Sequence, residues 1–443
     1  MGRPLWCSMD DTKKDLKARK DVLTKFAARK LLIGLGASEP ASYTDSTLHG
    51  VSSLFCRVGL RPYASSPLAT RLVADFMSVL HYVTYKNDAQ ISGYVSDPIL
   101  MFGASRMWYQ FENPTTNLPS ALQSYILPQF ETILLNGVID TGNIGELVAR
   151  IFLLLAMDAV AMGSSDKREF VFSGEFCDVL KFVEMLVGDN PHRTEQDIMK
   201  SYKDWLKSWN GWQVCFSHFV DLQEEPTEDV LWKLLDRRAA GTFPRGQKGA
   251  DLIIPIFHPK CDLYPEGSVS FIVVQVKNRV DKDDKFPDSA LRKLSCPYVF
   301  KKANSLSKFK NHEVIRLYMS LREVLDEDDS AQCIVTNQIR KTRNLKKIKS
   351  KKDFDGSLCV RGVLAPGMNE RWPFLSKGLA EKLREIANAA WWDGEVQVKY
   401  DLKSRDDYEM ETKQNRLSSV LSADDAEKTS LHTLKFASKV KAH

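Results

Sequence analysis

Two apolar runs near the middle of the chain constrain its fold more than any other feature. The first is GADLIIPIF (249–257) and the second is SVSFIVVQVK (268–277). Both are rich in β-branched and aromatic residues, which favour strands. The intervening HPKCDLYPEG is rich in turn formers. The sequence therefore predicts an antiparallel hairpin built from these two runs.

The second strand carries two polar side chains near its end, Gln275 and Lys277, which lie on one face because strand residues alternate. Burying either group is costly unless a partner compensates it. A symmetric hairpin places Asp251 opposite Lys277 and Phe257 opposite Phe271, so that an acid, an amide and an ammonium meet at one end. The alternatives are an ordinary cross-strand ion pair, which contributes little at a surface, and a satisfied polar glutamine on an edge strand.

Such a polar site is suited to phosphodiester hydrolysis. A divalent cation binds carboxylate and carbonyl oxygens, which would come from Asp251, the side chain of Gln275 and the carbonyl of Val276. Lys277 would position the attacking water and stabilise the charge that develops on the phosphate. The expected cofactor is Mg²⁺ or Mn²⁺.

Asp251 followed by Gln275-Val276-Lys277 resembles the PD-(D/E)xK nuclease superfamily in its glutamine variant, as in Mrr-like restriction endonucleases. The phrases GELVAR, GADLIIPI and VVQVKN together are also similar to a group of long fungal proteins, some related to mobile elements or to the nuclease modules of Crinkler/RHS-type effectors. The resemblance covers roughly 140–340. It implies an α/β restriction-endonuclease-like core, with a mixed central sheet flanked by helices, that cleaves DNA.

The resemblance also implies that Glu146, in GNIGELVARIFLLLAMDA, is the acid supplied by a helix, and that it serves as a metal ligand. Because Gln275 replaces an acid of the usual motif, Glu146 would have to restore the missing charge. Glu146 and Arg150 are also spaced as a helical salt bridge. Glu228 and Asp236 lie closer in sequence to the motif and are alternative sources of the carboxylate.

The domain organisation follows from these assignments. We predict an N-terminal mainly helical region (1–135), a nuclease core (136–395) with a helical insertion at about 165–235, and a polar C-terminal tail (396–443). Apolar periodicity predicts helices at 68–83, 118–135, 144–162 and 376–390, and apolar runs predict further strands at 332–337 and 357–367.

Basic residues near the motif are predicted to bind the nucleic-acid backbone, which proteins contact mainly through Lys and Arg. The alternative is a solvated surface. The basic stretch at 340–352 is also typical of a nuclear import signal. The predicted nucleic-acid contacts are Arg245, Lys248, Asn278, Arg279, Arg340, Lys341, Arg343, Lys346 and Lys347; further phosphate candidates are Arg292, Lys293, Lys301, Lys302 and Lys308.

Composition excludes several other classes. The chain of 443 residues is 43% hydrophobic, with no run long enough to span a membrane and no secretory pattern at its start. Its eight cysteines form no CxxC pair, which favours a reducing compartment, nuclear or cytoplasmic. GTFPRGQK lacks the ending of a P-loop, so no nucleotide cofactor is expected.

The overall interpretation is a Mg²⁺-dependent endonuclease whose partner is DNA. A homodimer is left open, because a double-strand cut requires two sites. The alternative is a catalytically decayed nuclease fold that acts as a DNA-binding or protein-interaction module, with Gln275 as a sign of the decay. His218 has no evident nucleophile partner in the sequence, and the tryptophans Trp205, Trp209, Trp212 and Trp232 are predicted to lie in a core.

Overall fold

The computed structural model has a mixed β-sheet with helices on both faces, so the predicted α/β class is confirmed. The sheet contains parallel and antiparallel neighbours, and a separate two-stranded hairpin lies in the N-terminal part. The structure describes residues 16–31, 49–62, 66–83, 90–109, 120–135, 144–162, 174–187, 196–244, 247–259, 269–278, 293–302, 304–306, 314–321, 333–336, 356–361 and 375–388.

The helices include the long apolar segment that the sequence predicts at 144–162. A single π-helical turn, Leu122–Ile126, leads directly into the fifth helix. The helices are α1 (Leu16–Leu31), α2 (His49–Val58), α3 (Pro67–Asp75), α4 (Pro98–Trp108), α5 (Leu127–Leu135), α6 (Ile144–Met162), α7 (Val179–Val187), α8 (Gln196–Ser208), α9 (Glu228–Asp236), α10 (Cys296–Val299) and α11 (Lys377–Asn388).

The main sheet has the order β10-β11-β9-β8-β7-β4-β3, and β6 also pairs with β7 and carries β5 on its other side. The two motif strands, β7 and β8, therefore lie in the centre of the sheet. The strands are β1 (Val79–Val83), β2 (Gln90–Gly93), β3 (Cys177–Asp178), β4 (Gln213–Val214), β5 (His218–Asp221), β6 (Ala239–Thr242), β7 (Leu252–Phe257), β8 (Val269–Lys277), β9 (Ile315–Ser320), β10 (Cys333–Thr336) and β11 (Ser357–Arg361).

The predicted helix at 68–83 is wrong in its second half. The helix α3 ends at Asp75, and the chain reverses at Met77, which has a φ of 65°. The next residues, VLHYV, form β1 and pair with β2. Their β-branched and aromatic side chains favour a strand, and this preference outweighs the helical periodicity of the segment.

The segment at about 165–235, which the sequence predicts to be a helical insertion, contributes short strands to the sheet as well as helices. Its described part contains helices α7 and α8 and most of α9, but also β3, β4 and β5. Strand β4 pairs with β7, and β5 pairs with β6. Short strands with irregular composition give a weak periodic signal, so only their pairing in the sheet identifies them.

The two faces of β8 pack against different helices. Its even-numbered residues, such as Val274 and Val276, belong to a core that contains α6; we call this side the α6 face. Its odd-numbered residues Phe271 and Val273 belong to a second core that contains Leu231 of α9; we call this side the α9 face. Gln275 and Lys277 are odd-numbered and therefore lie on the α9 face.

One continuous core connects the N-terminal helices to the sheet. Leu54 of α2 and Phe130 of α5 belong to the same buried cluster as Ile151 of α6 and Val274 of β8. The predicted boundary at residue 135 thus falls within a shared core. Trp209 lies in this cluster, and Trp205 and Trp212 pack against it, while Trp232 packs against the core of the α9 face.

No helix within the described ranges is both long and apolar enough to cross a membrane. The described cysteines are free thiols: Cys56, Cys177, Cys215, Cys296 and Cys359.

Candidate active site

The register of the central hairpin differs from the predicted one by two residues. Phe257 pairs with Val269, and Phe271 pairs with Pro255, so the predicted Phe257–Phe271 pair is wrong. A shift of two residues keeps every side chain on its face, and the hydrophobic pattern therefore fits both registers equally well. The predicted Asp251–Lys277 pairing is lost with this register, because the first pair at that end is Leu252 with Val274.

Asp251 lies immediately before β7 and is bonded to β8 through both its backbone and its side chain. Its N–H donates to the carbonyl of Val274 at 2.8 Å. Its Oδ2 accepts the N–H of Val276 at 2.6 Å. The carboxylate therefore lies beside the β8 backbone, at the residue that separates Gln275 from Lys277. The structure brings these predicted site residues together at one end of the hairpin.

The electrostatic environment of Asp251 is mixed. Burial raises the pKa of its carboxyl group, whereas the hydrogen bond from Val276 and the positive charge of Lys277 act in the opposite direction, and the net result is a raised pKa. The Lys277 ammonium is therefore close enough to interact with the carboxylate. Both side chains are partly buried, which strengthens such an interaction relative to a surface pair.

Gln275 has a buried oxygen that accepts no hydrogen bond from the described residues. Its side chain is on the α9 face beside Tyr318 of β9, and the residue is only 6% exposed. The Oε1 atom is buried and has no hydrogen-bond partner in the part of the chain that the structure describes. An unsatisfied buried acceptor costs about 1–3 kcal/mol. Such an atom is a candidate ligand for a cation or for a donor that is supplied from outside the chain.

The oxygens at this end of the hairpin are of the types that bind hard divalent cations. Asp251 offers a carboxylate, Gln275 an amide oxygen and Val276 a main-chain carbonyl, which are the ligand types that Mg²⁺ accepts together with water. In the described part of the chain, no three His, Cys, Asp or Glu side chains form a group that could hold a metal ion. A cation here would thus depend on one carboxylate and on neutral oxygens.

Glu146 lies in the first turn of α6, the helix that packs on the α6 face of β8. Gln275 and Lys277 are on the opposite face, so the sheet separates the body of this helix from their side chains. Arg150 donates to the carbonyl oxygens of Glu146 at 3.4 Å and Val58 at 2.7 Å. Participation of Glu146 in the site stays a prediction.

The helix α9 carries both alternative acids, and it covers the face on which Gln275 lies. It connects β5 to β6, which are parallel; β6 ends at Thr242, the partner of Leu252, and β5 ends at Asp221, the partner of Thr242. A helix between parallel strands begins where the first strand ends. Glu228, in the first turn, is therefore at the same end of the sheet as Asp251, whereas Asp236 is at the other end.

Two of the predicted nucleic-acid contacts lie in described segments. Lys248 is exposed, three residues before Asp251. The amide of Asn278 donates to the carbonyl of Ala387 at 3.2 Å, which connects the end of β8 to α11. The others lie outside the described residues: Arg245, Arg279, Arg340, Lys341, Arg343, Lys346 and Lys347.

A second polar cluster, which the sequence analysis missed, lies deep in the α6-face core. Arg57 and Asp158 are both fully buried and form a bidentate ion pair with two N–O distances of 2.7 Å. Tyr109 donates to Asp158 at 2.7 Å, and Arg57 also donates to the carbonyl of Ser217 at 3.0 Å. The only sequence signal was an aspartate inside the apolar run of α6.

His218 borders this cluster and has two serine neighbours. Its Nε2 lies 2.8 Å from the hydroxyl of Ser96, and its Nδ1 lies 3.0 Å from the hydroxyl of Ser217. Burial, Arg57 and Arg237 lower the pKa of His218 to about 3. Nucleophile–base pairs need a histidine that accepts a proton readily. Because this imidazole is a weak base, we assign the cluster to the connection between the helices and the sheet.

The comparisons with known proteins identify one family. A family model described as a domain of unknown function, DUF8736, matches residues 42–351. The chain belongs to this family. The DUF8736 region contains the whole β7–β8 hairpin and α9, whereas α11 lies beyond it. The comparisons with curated proteins and with solved structures find no match. A function for the DUF8736 domain must therefore be argued from the geometry of its residues.

Proposed function

We propose that this protein is a metal-dependent nuclease that hydrolyses DNA phosphodiester bonds at the site formed by Asp251, Gln275 and Lys277, on a restriction-endonuclease-like core. The observation that supports the proposal most strongly is the buried Oε1 of Gln275, which accepts no hydrogen bond from the described residues; the next residue, Val276, donates its N–H to the partly buried carboxylate of Asp251. Other buried polar atoms without a hydrogen-bond partner occur among the described residues, such as Ser78 Oγ and Trp108 Nε1, but Gln275 is the one that belongs to the predicted motif, and such an atom reduces stability unless something else satisfies it.

Each residue has a distinct role in this proposal. A bound Mg²⁺ or Mn²⁺ would supply the positive charge that polarises the scissile phosphate. Asp251 and Gln275 would hold the ion, together with the carbonyl of Val276. Lys277 would orient the attacking water and stabilise the charge that develops on the phosphate oxygens. The Val276 N–H fixes the carboxylate of Asp251 in place.

The ligands Asp251, Gln275 and Val276 carry one negative charge between them, because Gln275 contributes none, so a second acid is expected in the ligand set. Glu146 is the residue that the motif resemblance favours. Glu228 is the residue that its position favours, since it lies on the α9 face and at the Asp251 end. Substituting each acid by glutamine would identify the ligand. Only the substitution of the true ligand should raise the Mg²⁺ concentration that is required for half-maximal cleavage.

The test is plasmid cleavage with purified protein in Mg²⁺ or Mn²⁺. Lys277→Ala and Asp251→Asn should each reduce the nicking rate by about 100-fold or more, since each removes charge from the transition state. The matched control is Lys207→Ala, an exposed lysine of α8 that is paired with Asp204. Cleavage that persists at the wild-type rate in both site variants would reject the site.

A second candidate function has one observation in its favour. The Asp251 carboxylate already accepts the Val276 N–H, so the residue has a role in joining β7 to β8 that requires no metal. The fold could therefore serve as a DNA-binding or protein-interaction module whose chemistry has been lost. Wild-type protein that binds DNA but shows no metal-dependent nicking would favour this alternative.

A further inference from the structure

We propose that a basic edge next to the candidate site, formed by Lys248, Lys293 and Lys301 around Tyr298, binds the sugar–phosphate backbone of DNA without reading its sequence. The inference deepens the proposed function, on which it rests for the identity of the polyanion. Binding is measured separately from cleavage, so the two proposals can fail independently.

The edge is built by a close contact between two segments. Gly249 has a φ of +90°, and a Cβ at this position would lie 2.6 Å from the carbonyl oxygen of Lys293 and 2.9 Å from the ring of Tyr298. Only glycine permits this approach. The side chain of Gln247 donates to the carbonyl of Val299 at 2.7 Å. The residues that flank Lys248 are therefore fixed against the segment that carries Lys293.

The same contact connects the edge to the candidate site. Gly249 is two residues from Asp251, whose backbone is bonded to both neighbouring strands: its N–H to β8 and its carbonyl to the N–H of Phe243. On the other side, the ammonium of Lys301 lies 5.6 Å from the centre of the Tyr298 ring. A phosphate backbone that reaches Asp251 would consequently pass beside these lysines.

A carboxylate holds the far end of the edge in position. Glu225 accepts the backbone N–H groups of Lys301 and Lys302 at 2.8 and 2.9 Å. These bonds, with the positive charge of Lys302, lower the pKa of Glu225 despite its partial burial. The bonds use the main chain of Lys301 and leave its side chain exposed.

The lysines of this region differ in whether a carboxylate pairs with them. Lys248, Lys293 and Lys301 are exposed, and no ion pair joins any of them to a carboxylate among the residues that the structure describes. Lys302, by contrast, is paired with Glu224 at 3.2 Å. Three exposed cations that form no ion pair with another described residue, on one side of a site that would attack phosphodiesters, are suited to the phosphates that flank the scissile bond.

The experiment measures the affinity for a short fluorescein-labelled DNA duplex of random sequence by fluorescence anisotropy, in EDTA, at several NaCl concentrations. Each phosphate contact contributes about 0.9 to the slope of log K against log salt. The triple variant Lys248→Ala/Lys293→Ala/Lys301→Ala should therefore lower the magnitude of the slope by about 2.7. The matched control changes three exposed lysines that already have acidic partners: Lys25, Lys181 and Lys207.

An unchanged slope in the triple variant, with a normal far-ultraviolet circular dichroism spectrum, would overturn the proposal that the basic edge binds DNA. If the triple variant unfolds, the single variants Lys248→Glu and Lys293→Glu, which alter only exposed side chains, must each weaken binding more than Lys207→Glu does. Wild-type protein that binds through these lysines but never cuts DNA would leave the edge standing and reject the nuclease. If the wild-type protein cuts DNA but the lysine substitutions do not change its DNA affinity, the nuclease proposal stands and the basic edge is rejected.

Discussion

At the scale of single residues, Gln275 and Asp251 are where the stability of the fold and the proposed chemistry conflict. Gln275 buries an acceptor without a hydrogen bond from the described residues, and Asp251 keeps a carboxyl group in a place where burial disfavours its charge. Both arrangements cost free energy that apolar or neutral residues would not. Substitutions at functional positions often stabilise a protein while they remove its activity.

Gln275→Leu tests this conflict. The substitution keeps a similar volume and removes the buried acceptor, so we expect the free energy of unfolding to rise by about 1 kcal/mol. Metal-dependent cleavage should be lost. Urea unfolding and plasmid nicking measure the two effects. A clear loss of stability would show that the amide has a structural partner, and would remove the main support for the cation site.

The pH dependence of stability tests Asp251. Its pKa in the folded protein lies above the ordinary value of 3.8. The folded state therefore binds the proton more readily than the unfolded state, and the free energy of unfolding should decrease as pH rises from 3.8 through the raised pKa. Cleavage should show the opposite trend, because only the ionised carboxylate binds a cation.

Urea unfolding at a series of pH values, with Asp251→Asn, measures this effect. In Asp251→Asn, the free energy of unfolding should decrease less as pH rises, because the contribution of this carboxyl group is absent. Asp229→Asn, at an exposed residue paired with Lys233, provides the matched control for the loss of a carboxylate. A profile identical in Asp251→Asn and wild type would contradict the raised pKa.

At the scale of secondary-structure elements, a buried ion pair joins three parts of the chain. Arg57 lies at the end of α2, Asp158 lies in α6, and the Ser217 carbonyl precedes β5. Arg57 also lies over the ring of Trp108 in α4 at 4.0 Å. The pair therefore fixes the helices relative to the edge of the sheet near His218.

Asp158→Asn should destabilise the protein by about 3–5 kcal/mol, because it leaves the guanidinium of Arg57 buried without a counter-charge. The double variant Arg57→Met/Asp158→Leu should lose less, since both charges are then absent. Urea unfolding of the two variants gives the comparison. A single variant that loses less than about 1 kcal/mol would show that the pair behaves as a surface pair does.

At the scale of the whole molecule, part of the N-terminal helical region shares a hydrophobic core with the sheet. Residues of α2 and α5 belong to the same buried cluster as residues of α6 and β8, whereas residues of α1 and α4 form a smaller cluster with Cys56 of α2. The candidate site is on the other face of the sheet. The helices before residue 135 therefore support the strands that hold the site without covering it.

A fragment that begins at residue 136 should fail to fold, although it keeps every residue of the motif. It would expose the apolar residues of α6 that normally contact α2 and those of α11 that normally contact α5. We expect it to aggregate or to show no cooperative thermal unfolding, whereas the fragment 1–395 should unfold near the wild-type temperature. A cooperatively folded fragment 136–443 would show that the predicted boundary is a true domain boundary.

The sequence by itself determined the strands β7 and β8, the helices α6 and α11, and the presence of Gln275 and Lys277 on one face. Long periodic or strongly apolar segments carry enough local information for this. Only the tertiary structure decided the register of the hairpin, the strand at 79–83 and the strands within 165–235. It also decided that Glu228 lies nearer the Asp251 end than Asp236 does, and that Arg57 meets Asp158. These features depend on pairing between distant segments, and local periodicity does not encode which segments will pair.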